Sequence, residues 1–345
     1  MKIFLIADDL TGALDASVAF AARGMSVLCA CTPDALSEAV RQAPDVVAVS
    51  TNSRDLDQGQ AVSRLSDVLE QARATRHWPD LIVFKKVDSR LKGHIGAEMS
   101  VLARHRSDGL ICPAVPRLGR FVRNGAVCGA GVDEPIPVAD RIGGHAGRIL
   151  DAERQEDLDA ALATAALSAL YVGAAGLAEA LARRMTGRAD PGMPPRVRPP
   201  ALLAIGSRDP VTLAQIEGFD PFVAPNGQVP PSPADPAAIR MVQLGPGTGP
   251  VPPEVASERF ADGLATWVRR QQPATLFVCG GATTAAVLRV LNCTLVRIAG
   301  EILPGLPVSR MVDGCPGLTL ITKSGGFGAP DTLHHLARKL NAATD

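Results

Sequence analysis

Short apolar runs recur along this chain at intervals that leave room for one helix between each pair, and this alternation restricts the fold more than any other feature. Residues 2 to 7 form the first run, and the alanine-rich residues 12 to 23 suit a helix that Gly24 would end. Further runs at 26 to 31, 45 to 50, 81 to 86 and 109 to 112 are separated by helical stretches near 35 to 42, 60 to 75 and 96 to 105. Such alternation predicts an α/β fold, a mainly parallel sheet with helices on both faces. Between Pro113 and Arg148 the chain turns glycine-rich and irregular, as ligand loops often do. It resumes with a helix near 155 to 167, a strand at 169 to 172 and a helix at 176 to 185.

At 345 residues the chain exceeds what one core usually organises. The stretch Thr186 to Pro200, TGRADPGMPPRVRPP, combines proline, glycine and charge without apolar periodicity, which reads as a linker. The expected division is an N-terminal domain over 1–190, a linker over 191–200 and a C-terminal domain over 201–345. The second domain repeats the pattern: an apolar run at 201 to 205, a helix near 210 to 217, and a proline-rich surface stretch from Pro221 to Pro236. A strand near 240 to 244, a helix at 255 to 271, a strand at 275 to 279 and a helix at 283 to 292 follow, then strands near 294 to 299 and 318 to 322 and a helix at 331 to 341. Two domains, each with a mainly parallel sheet flanked by helices and with a ligand cleft between them, is the architecture this predicts.

Charge and aromatic content narrow the partners. The 35 basic residues balance 35 acidic ones, so no overall field gathers nucleic acid or an anionic membrane, and 3% aromatic content leaves no stacking platform for single strands. The opening apolar run meets Asp8 and Asp9 at once, too early for a signal peptide or a membrane span. The seven cysteines are odd in number and lack CxxC spacing, as expected of small buried hydrophobes in a reducing cytosol. Cys29-x-Cys31 places two thiols on one face of a strand, a weak metal signal. The histidines, at 77, 94, 105, 145, 334 and 335, form no ligand pattern, and no metal ligand is assigned. A cytoplasmic protein acting on a small polar molecule fits these features.

In open parallel sheets ligands collect at the carboxyl ends of strands. The first such loop is Asp8-Asp9-Leu10-Thr11-Gly12. An N-cap explains one carboxylate easily; two neighbours can also raise one another's pKa or hold Mg²⁺, either of which suits a base that accepts a hydroxyl proton. The second loop, Lys85-Lys86-Val87-Asp88-Ser89-Arg90-Leu91-Lys92-Gly93, carries four cations and one acid beside a strand end, where they can hold a carboxylate or a transferring phosphoryl group. Thr51-Asn52-Ser53-Arg54 and Gly119-Arg120 add guanidinium groups suited to a carboxylate. In the second half, Val278 to Thr284 and Lys323 to Gly328 are glycine-rich strand-to-helix joints where backbone N–H groups can meet phosphate. Neither has Walker A spacing, and no GxGxxG follows a strand, which argues against a dinucleotide-dependent oxidoreductase.

Taken together these segments resemble the four-carbon acid sugar kinase family, whose members include threonate, erythronate and 3-oxotetronate kinases. The likeness is collinear over nearly the whole chain. It runs through Ile6 to Ala13, Lys86-Val87-Asp88-Ser89 with Lys92-Gly93, Pro113 to Pro116 with Gly119-Arg120, and Gly173 to Leu181. It continues through Gly206-Ser207-Arg208 with Thr212 and Gln215, Gly280-Gly281 with Thr283, Gly300-Glu301-Ile302 with Pro304-Gly305, and Lys323 to Gly328. The resemblance implies an ATP-dependent kinase that phosphorylates a terminal hydroxyl of the acid, with Mg²⁺ accompanying the nucleotide. By position, Asp9, Asp88 and Lys92 look catalytic, and Asp8, Thr11, Arg54, Lys86, Ser89 and Arg120 look like acid-binding residues. Ser207, Gly280, Gly281, Thr283, Lys323, Gly325 and Gly326 look like nucleotide contacts. Asp9 is the first choice for the base, Asp88 the second. The chain departs from the family where relatives read Asp-Ser-Thr-Leu-Arg-Gly: here Arg90 and Lys92 replace that pattern. Ala282 stands where an acid is usual, and Ala174 where serine is common. A different small hydroxy acid, or a relative that binds without transfer, are the alternatives these departures raise. An apolar helix face could serve a homodimer or the domain interface.

Overall fold

The computed structural model describes residues 1–75, 78–106, 109–145, 147–164, 167–235 and 237–342. The chain divides into two compact units, Met1–Met193 and Pro194–Asp345.

The first unit alternates as its apolar runs require. Strand β1 (Ile3–Ala7) leads through α1 (Leu10–Ala21) to β2 (Val27–Ala30), then α2 (Leu36–Arg41), β3 (Val46–Ser50), α3 (Gln58–Arg73), β4 (Ile82–Lys86), α4 (Ile95–Leu102) and β5 (Gly109–Cys112). After β6 (Arg120–Arg123), β7 (Ala126–Gly129), β8 (Ile136–Pro137), α5 (Val138–Arg141) and β9 (Arg148–Ile149) come α6 (Gln155–Thr164), β10 (Leu170–Gly173) and α7 (Ala175–Thr186). The principal sheet runs β2-β3-β1-β4-β10-β5-β9, with every pairing parallel. Every residue of β1, β3 and β4 is buried, the apolar ones forming the core and Lys85 and Lys86 ending the last strand. Such two-faced burial turns parallel strands into continuous apolar runs rather than alternating ones. The stretch read as irregular loop between Pro113 and Arg148 holds regular structure instead: β6, β7 and β8 form a small antiparallel sheet. Its strands are short and partly exposed, so they carry little of the apolar signal that marks the others.

The second unit comprises β11 (Ala201–Ile205), α8 (Pro210–Gln215), β12 (Phe222–Pro225), β13 (Ile239–Gly245), α9 (Pro253–Gln271), β14 (Thr275–Cys279), α10 (Gly281–Val290), β15 (Leu295–Leu303), β16 (Leu306–Met311), β17 (Thr319–Lys323) and α11 (Thr332–Asn341). Its order is β12-β13-β11-β14-β17-β16-β15. The pairings from β12 to β17 are parallel; β16 and β15 join antiparallel, a hairpin turned by Pro304-Gly305 with Gly305 at φ 81°. The proline-rich stretch from Pro221 contains β12, an edge strand, where prolines are tolerated because one side needs no ladder partner. Among the described residues no helix is long and apolar enough to cross a membrane.

Candidate functional site

In the first unit the strand order makes the loops after β3, β1 and β4 neighbours. Asp9 caps α1: its extended backbone lets Oδ1 accept the Gly12 N–H at 3.1 Å while Oδ2 accepts the Thr11 hydroxyl at 2.6 Å. A Cβ on Gly12 would run into that carboxylate, so the capping turn requires glycine there. Asp8 points elsewhere. Its two oxygens accept Arg54 Nε at 2.9 Å and Nη2 at 2.7 Å, and Nη2 also lies 2.9 Å from Asp9 Oδ1. Arg54 thus clasps both carboxylates, and its Nη1 has no hydrogen bond among the described residues. The Asp8 backbone carbonyl accepts the N–H groups of Ser53, at 2.8 Å, and Arg54, which locks the two loops together.

Exposure separates the two acids: the Asp8 side chain is 4% exposed, that of Asp9 23%. Burial pushes the Asp8 carboxyl up, but the Arg54 hydrogen bond, Lys85, the Arg54 charge and Lys86 outweigh it and hold the group below its ordinary value. Burial likewise pulls Arg54 down, and its bond to Asp8 with the charges of Asp8, Asp9 and Asp88 raises it further than burial lowers it.

The loop after β4 is shaped by Asp88, whose Oδ2 accepts the Arg90 N–H at 2.8 Å, with Leu91 (φ 56°) and Gly93 (φ 91°) both left-handed. Any Cβ at Gly93 would sit 2.8 Å from Asp8 Oδ2, so the loop passes directly over the clasp. Ser89 receives a hydrogen bond from Arg120, whose other nitrogens bond the Ala130 carbonyl at 3.1 and 2.8 Å. Burial and the neighbouring Arg90 lower the Arg120 pKa. Lys92 is exposed, with no side-chain partner among the described residues, whereas the buried Lys86 ammonium donates to the Val87 carbonyl at 2.9 Å.

Beneath these loops lies a pair of which sequence reasoning selected only one member: Lys85, counted among the loop's ligand-holding cations, is instead turned inward to Glu98. Lys85 and Glu98 are ion-paired at 2.8 Å and fully enclosed; Ser53 donates to Glu98 at 3.4 Å and meets Thr51 at 2.7 Å. An acid inside a helical stretch carries no sign in the sequence that it faces inward, and only the tertiary partner reveals it. His94, next to the Lys92-Gly93 turn, contacts the Leu56 carbonyl, and His145 the Ser100 hydroxyl of α4; His77 lies outside the described residues.

In the second unit β11, β14 and β17 are adjacent, so the loops following them meet. They pack through backbone. A Cβ on Gly206 would overlap the Thr283 hydroxyl, and one on Gly325 the Ser207 hydroxyl. Gly280, at φ 111°, takes a conformation that side chains rarely adopt, and its ideal Cβ would be 3.3 Å from Ser207 N. No side chain caps α10, so the N–H groups of Gly281, Ala282 and Thr283 remain at its N-terminus, the arrangement that suits phosphate. Ala282 itself is exposed.

Lys323 does not reach outward. It is 1% exposed, and its ammonium donates to the carbonyls of Ser324 and Gly325 at 3.1 and 3.0 Å and to Thr212 Oγ1 at 3.2 Å. Thr212 also donates to Gly325 at 2.7 Å, and Gln215 donates to the Phe327 and Ala329 carbonyls, so the 323–328 loop is fastened from below. Burial lowers the Lys323 pKa. Asp209 was not singled out from the sequence, although an acid directly before Pro210 is an N-cap signal: it accepts the Val211 N–H at 2.9 Å and places Oδ2 3.2 Å from the ideal Cβ of Gly326. Among the described residues no group of three or more His, Cys, Asp or Glu could hold a metal by itself.

Two family models match: a sugar-binding N-terminal domain over residues 3–140 and a nucleotide-binding C-terminal domain over 232–333. The chain therefore belongs to the four-carbon acid sugar kinase family. A D-threonate kinase of Bordetella bronchiseptica is 28% identical, the match spanning 98% of this chain and 97% of the relative. A 3-oxo-tetronate kinase of Methylobacterium radiotolerans is 27% identical over 94% of this chain and 96% of its own, and a D-erythronate kinase of Heliobacterium modesticaldum 24% over 96% and 95%. The fold is also that of a Salmonella typhimurium protein of known crystal structure (TM-score 0.79, 20% identity, 98% of this chain and 99% of that one). A Haemophilus influenzae protein shares it too (TM-score 0.70, 19% identity, 97% and 99%).

Proposed function

We propose that this chain is an ATP-dependent kinase that transfers the γ-phosphoryl group to a terminal hydroxyl of a four-carbon sugar acid of the threonate, erythronate or 3-oxotetronate kind. The observation that carries the reading is the Arg54 clasp: a guanidinium fixed by Asp8 and Asp9, with Nη1 uncommitted, beside a carboxylate that is still accessible. An arginine held in this way is preorganised to take a substrate carboxylate. Asp8, buried and with both oxygens engaged, holds Arg54; Lys86 acts from beneath. Thr11, Ser89, Arg120 and Lys92 line the same loops, and Lys92 supplies a mobile cation toward the transferring group.

In the second unit the uncapped N-terminus of α10 (Gly281, Thr283) and the glycine contacts at Gly280, Gly325, Gly326 and Ser207 fit a nucleotide whose phosphates approach the backbone. Lys323 serves as the fastening of that loop. Mg²⁺, which usually keeps waters and uses one or two carboxylates plus substrate phosphates, fits Asp209 as its protein partner and would supply charge neutralisation. The acid's hydroxyl oxygen bonds to the γ-phosphorus as the bond from that phosphorus to the β–γ bridging oxygen breaks. ADP leaves, and the hydroxyl proton passes to the Asp9 carboxylate. Positioning and charge stabilisation carry most of such a step, so a well hydrogen-bonded carboxylate is an adequate base. Support for the substrate class comes from the relatives' names, at 24% to 28% identity.

A coupled ADP-release assay with Mg-ATP and a panel of D- and L-threonate, D-erythronate and 3-oxotetronates tests this. Turnover with at least one acid is the predicted result. Nucleotide binding with no turnover on any would replace the reading with a different hydroxy acid or a binding-only role.

A further inference from the structure

The second unit carries a cavity of about 810 Å³ at the opposite strand ends from the proposed nucleotide loops. It is lined where the chain enters β11, β14 and β17, by Arg198, Gln272 to Ala274 and Cys315 to Thr319, whereas the glycine loops leave the far ends of the same strands. Strands of five residues put those ends about 16 Å apart, so one small ligand cannot occupy both.

Four arginines line this cavity, Arg196, Arg198, Arg269 and Arg310, and its lining contains no Asp or Glu. In a chain whose charges balance, such one-sidedness is local. Arg196, Arg198 and Arg310 have no side-chain hydrogen bond or ion pair among the described residues, and Arg269 spends one nitrogen on the Val290 carbonyl at 3.1 Å. Backbone and threonine hydrogen bonds hold the segments that carry Arg198 and Arg310. Thr275 accepts the Arg198 N–H at 3.3 Å and donates to its carbonyl at 2.7 Å, Thr275 pairs in register with Thr319, and Thr319 pairs with Arg310. Like charges on segments held in this way repel, and a structure that gathers guanidinium groups without an acid is relieved by a bound anion. Apolar lining from Val268, Pro273, Pro316 and Leu318 gives the ligand's uncharged part a surface to cover.

We infer that this cavity is a second ligand site, specific for a small polyanion carrying two or more phosphate or carboxylate groups. Its position, on the same sheet as the proposed nucleotide loops but away from them, makes it a place where such a metabolite regulates rather than reacts. The anion site follows from the lining of the cavity, and its regulatory role alone rests on the nucleotide reading of the glycine loops.

Titration calorimetry on the full chain tests it, using pyrophosphate and citrate as separate probes, each with and without a saturating non-hydrolysable ATP analogue. The expected result is binding by one of the two at one site per chain that persists with the analogue present. In Arg198→Ala/Arg310→Ala it weakens by at least about tenfold, the scale of losing charge-assisted bonds. Both residues are exposed, and unchanged thermal unfolding of the variant without anion shows that folding is intact. Pyrophosphate binding alone identifies a phosphorylated ligand, and citrate binding alone a polycarboxylate. Absence of binding by either, affinity equal in the variant, or full displacement by the analogue would overturn the second site.

Discussion

Arg54 has three nitrogens and spends Nε and Nη2 on Asp8 and Asp9, so both of the adjacent acids after the first strand engage one guanidinium. Each does different work. Asp8 is the buried counterion, and its depressed pKa makes it a source of stability that depends on pH. A carboxyl whose folded pKa lies below its unfolded value, near 3.9, contributes fully above that value and loses its contribution as pH falls through the folded one. Thermal unfolding followed from pH 6 downward should therefore show wild type losing stability below about pH 4 more steeply than Asp8→Asn, which lacks the titrating group. Parallel curves would mean that other carboxylates dominate. Asp9 is the accessible member. Asp9→Asn keeps the shape of the cap but removes the proton acceptor, and turnover should fall about 10²- to 10⁴-fold, the range for a general base, while nucleotide affinity stays unchanged by calorimetry.

At the scale of elements, buried polar pairs and glycine contacts hold the site loops in place. Lys85 is the penultimate residue of β4 and Glu98 lies in α4, so their ion pair ties sheet to helix under the loops. Glu98→Gln leaves an enclosed ammonium without its counter-charge and should cost about 3–5 kcal/mol in denaturant unfolding. Lys85→Met/Glu98→Leu should recover most of that loss; a double variant as unstable as the single would show that the pair itself stabilises the fold. On the nucleotide side, Gly325→Ala pushes a methyl into the Ser207 hydroxyl. ATP-analogue binding should weaken about tenfold or more, an effect checked by calorimetry, with the fold retained by circular dichroism.

The parallel core of both units was legible because two-faced burial writes itself as apolar runs, and the loops at their ends could be located from those runs. The antiparallel parts and the parallel edge strand β12 were not. Strands β6 to β8 are too short and exposed to announce themselves, and β12 and β16 lie among prolines and turns that read as loop. Within the site, residue types and loop membership were readable, whereas direction was not. Whether Lys86, Lys92 and Lys323 face a ligand or the protein depends on which carbonyls fold over them, and a linear charge pattern holds no record of that.

For the whole molecule, the two sets of loops belong to different compact units, and the proposed ligands should be separable by mutation. Asp9→Asn spares nucleotide binding, and Gly325→Ala spares acid binding. A chain with no net charge gains no steering from its overall field, so in the proposed reaction recognition of the acid falls to local cations such as Arg54 and Lys92. The central claim is that the phosphoryl group ends on the acid, with Asp9 taking the proton. Phosphorus NMR of a reaction containing Mg-ATP and the acid chosen from the panel observes that transfer directly. The account predicts a new phosphomonoester resonance growing as the γ-phosphate signal of ATP declines, with both changes slowed at least about 10²-fold in Asp9→Asn. Loss of the γ-phosphate to free inorganic phosphate without an ester, or an ester formed equally fast by Asp9→Asn, would contradict it.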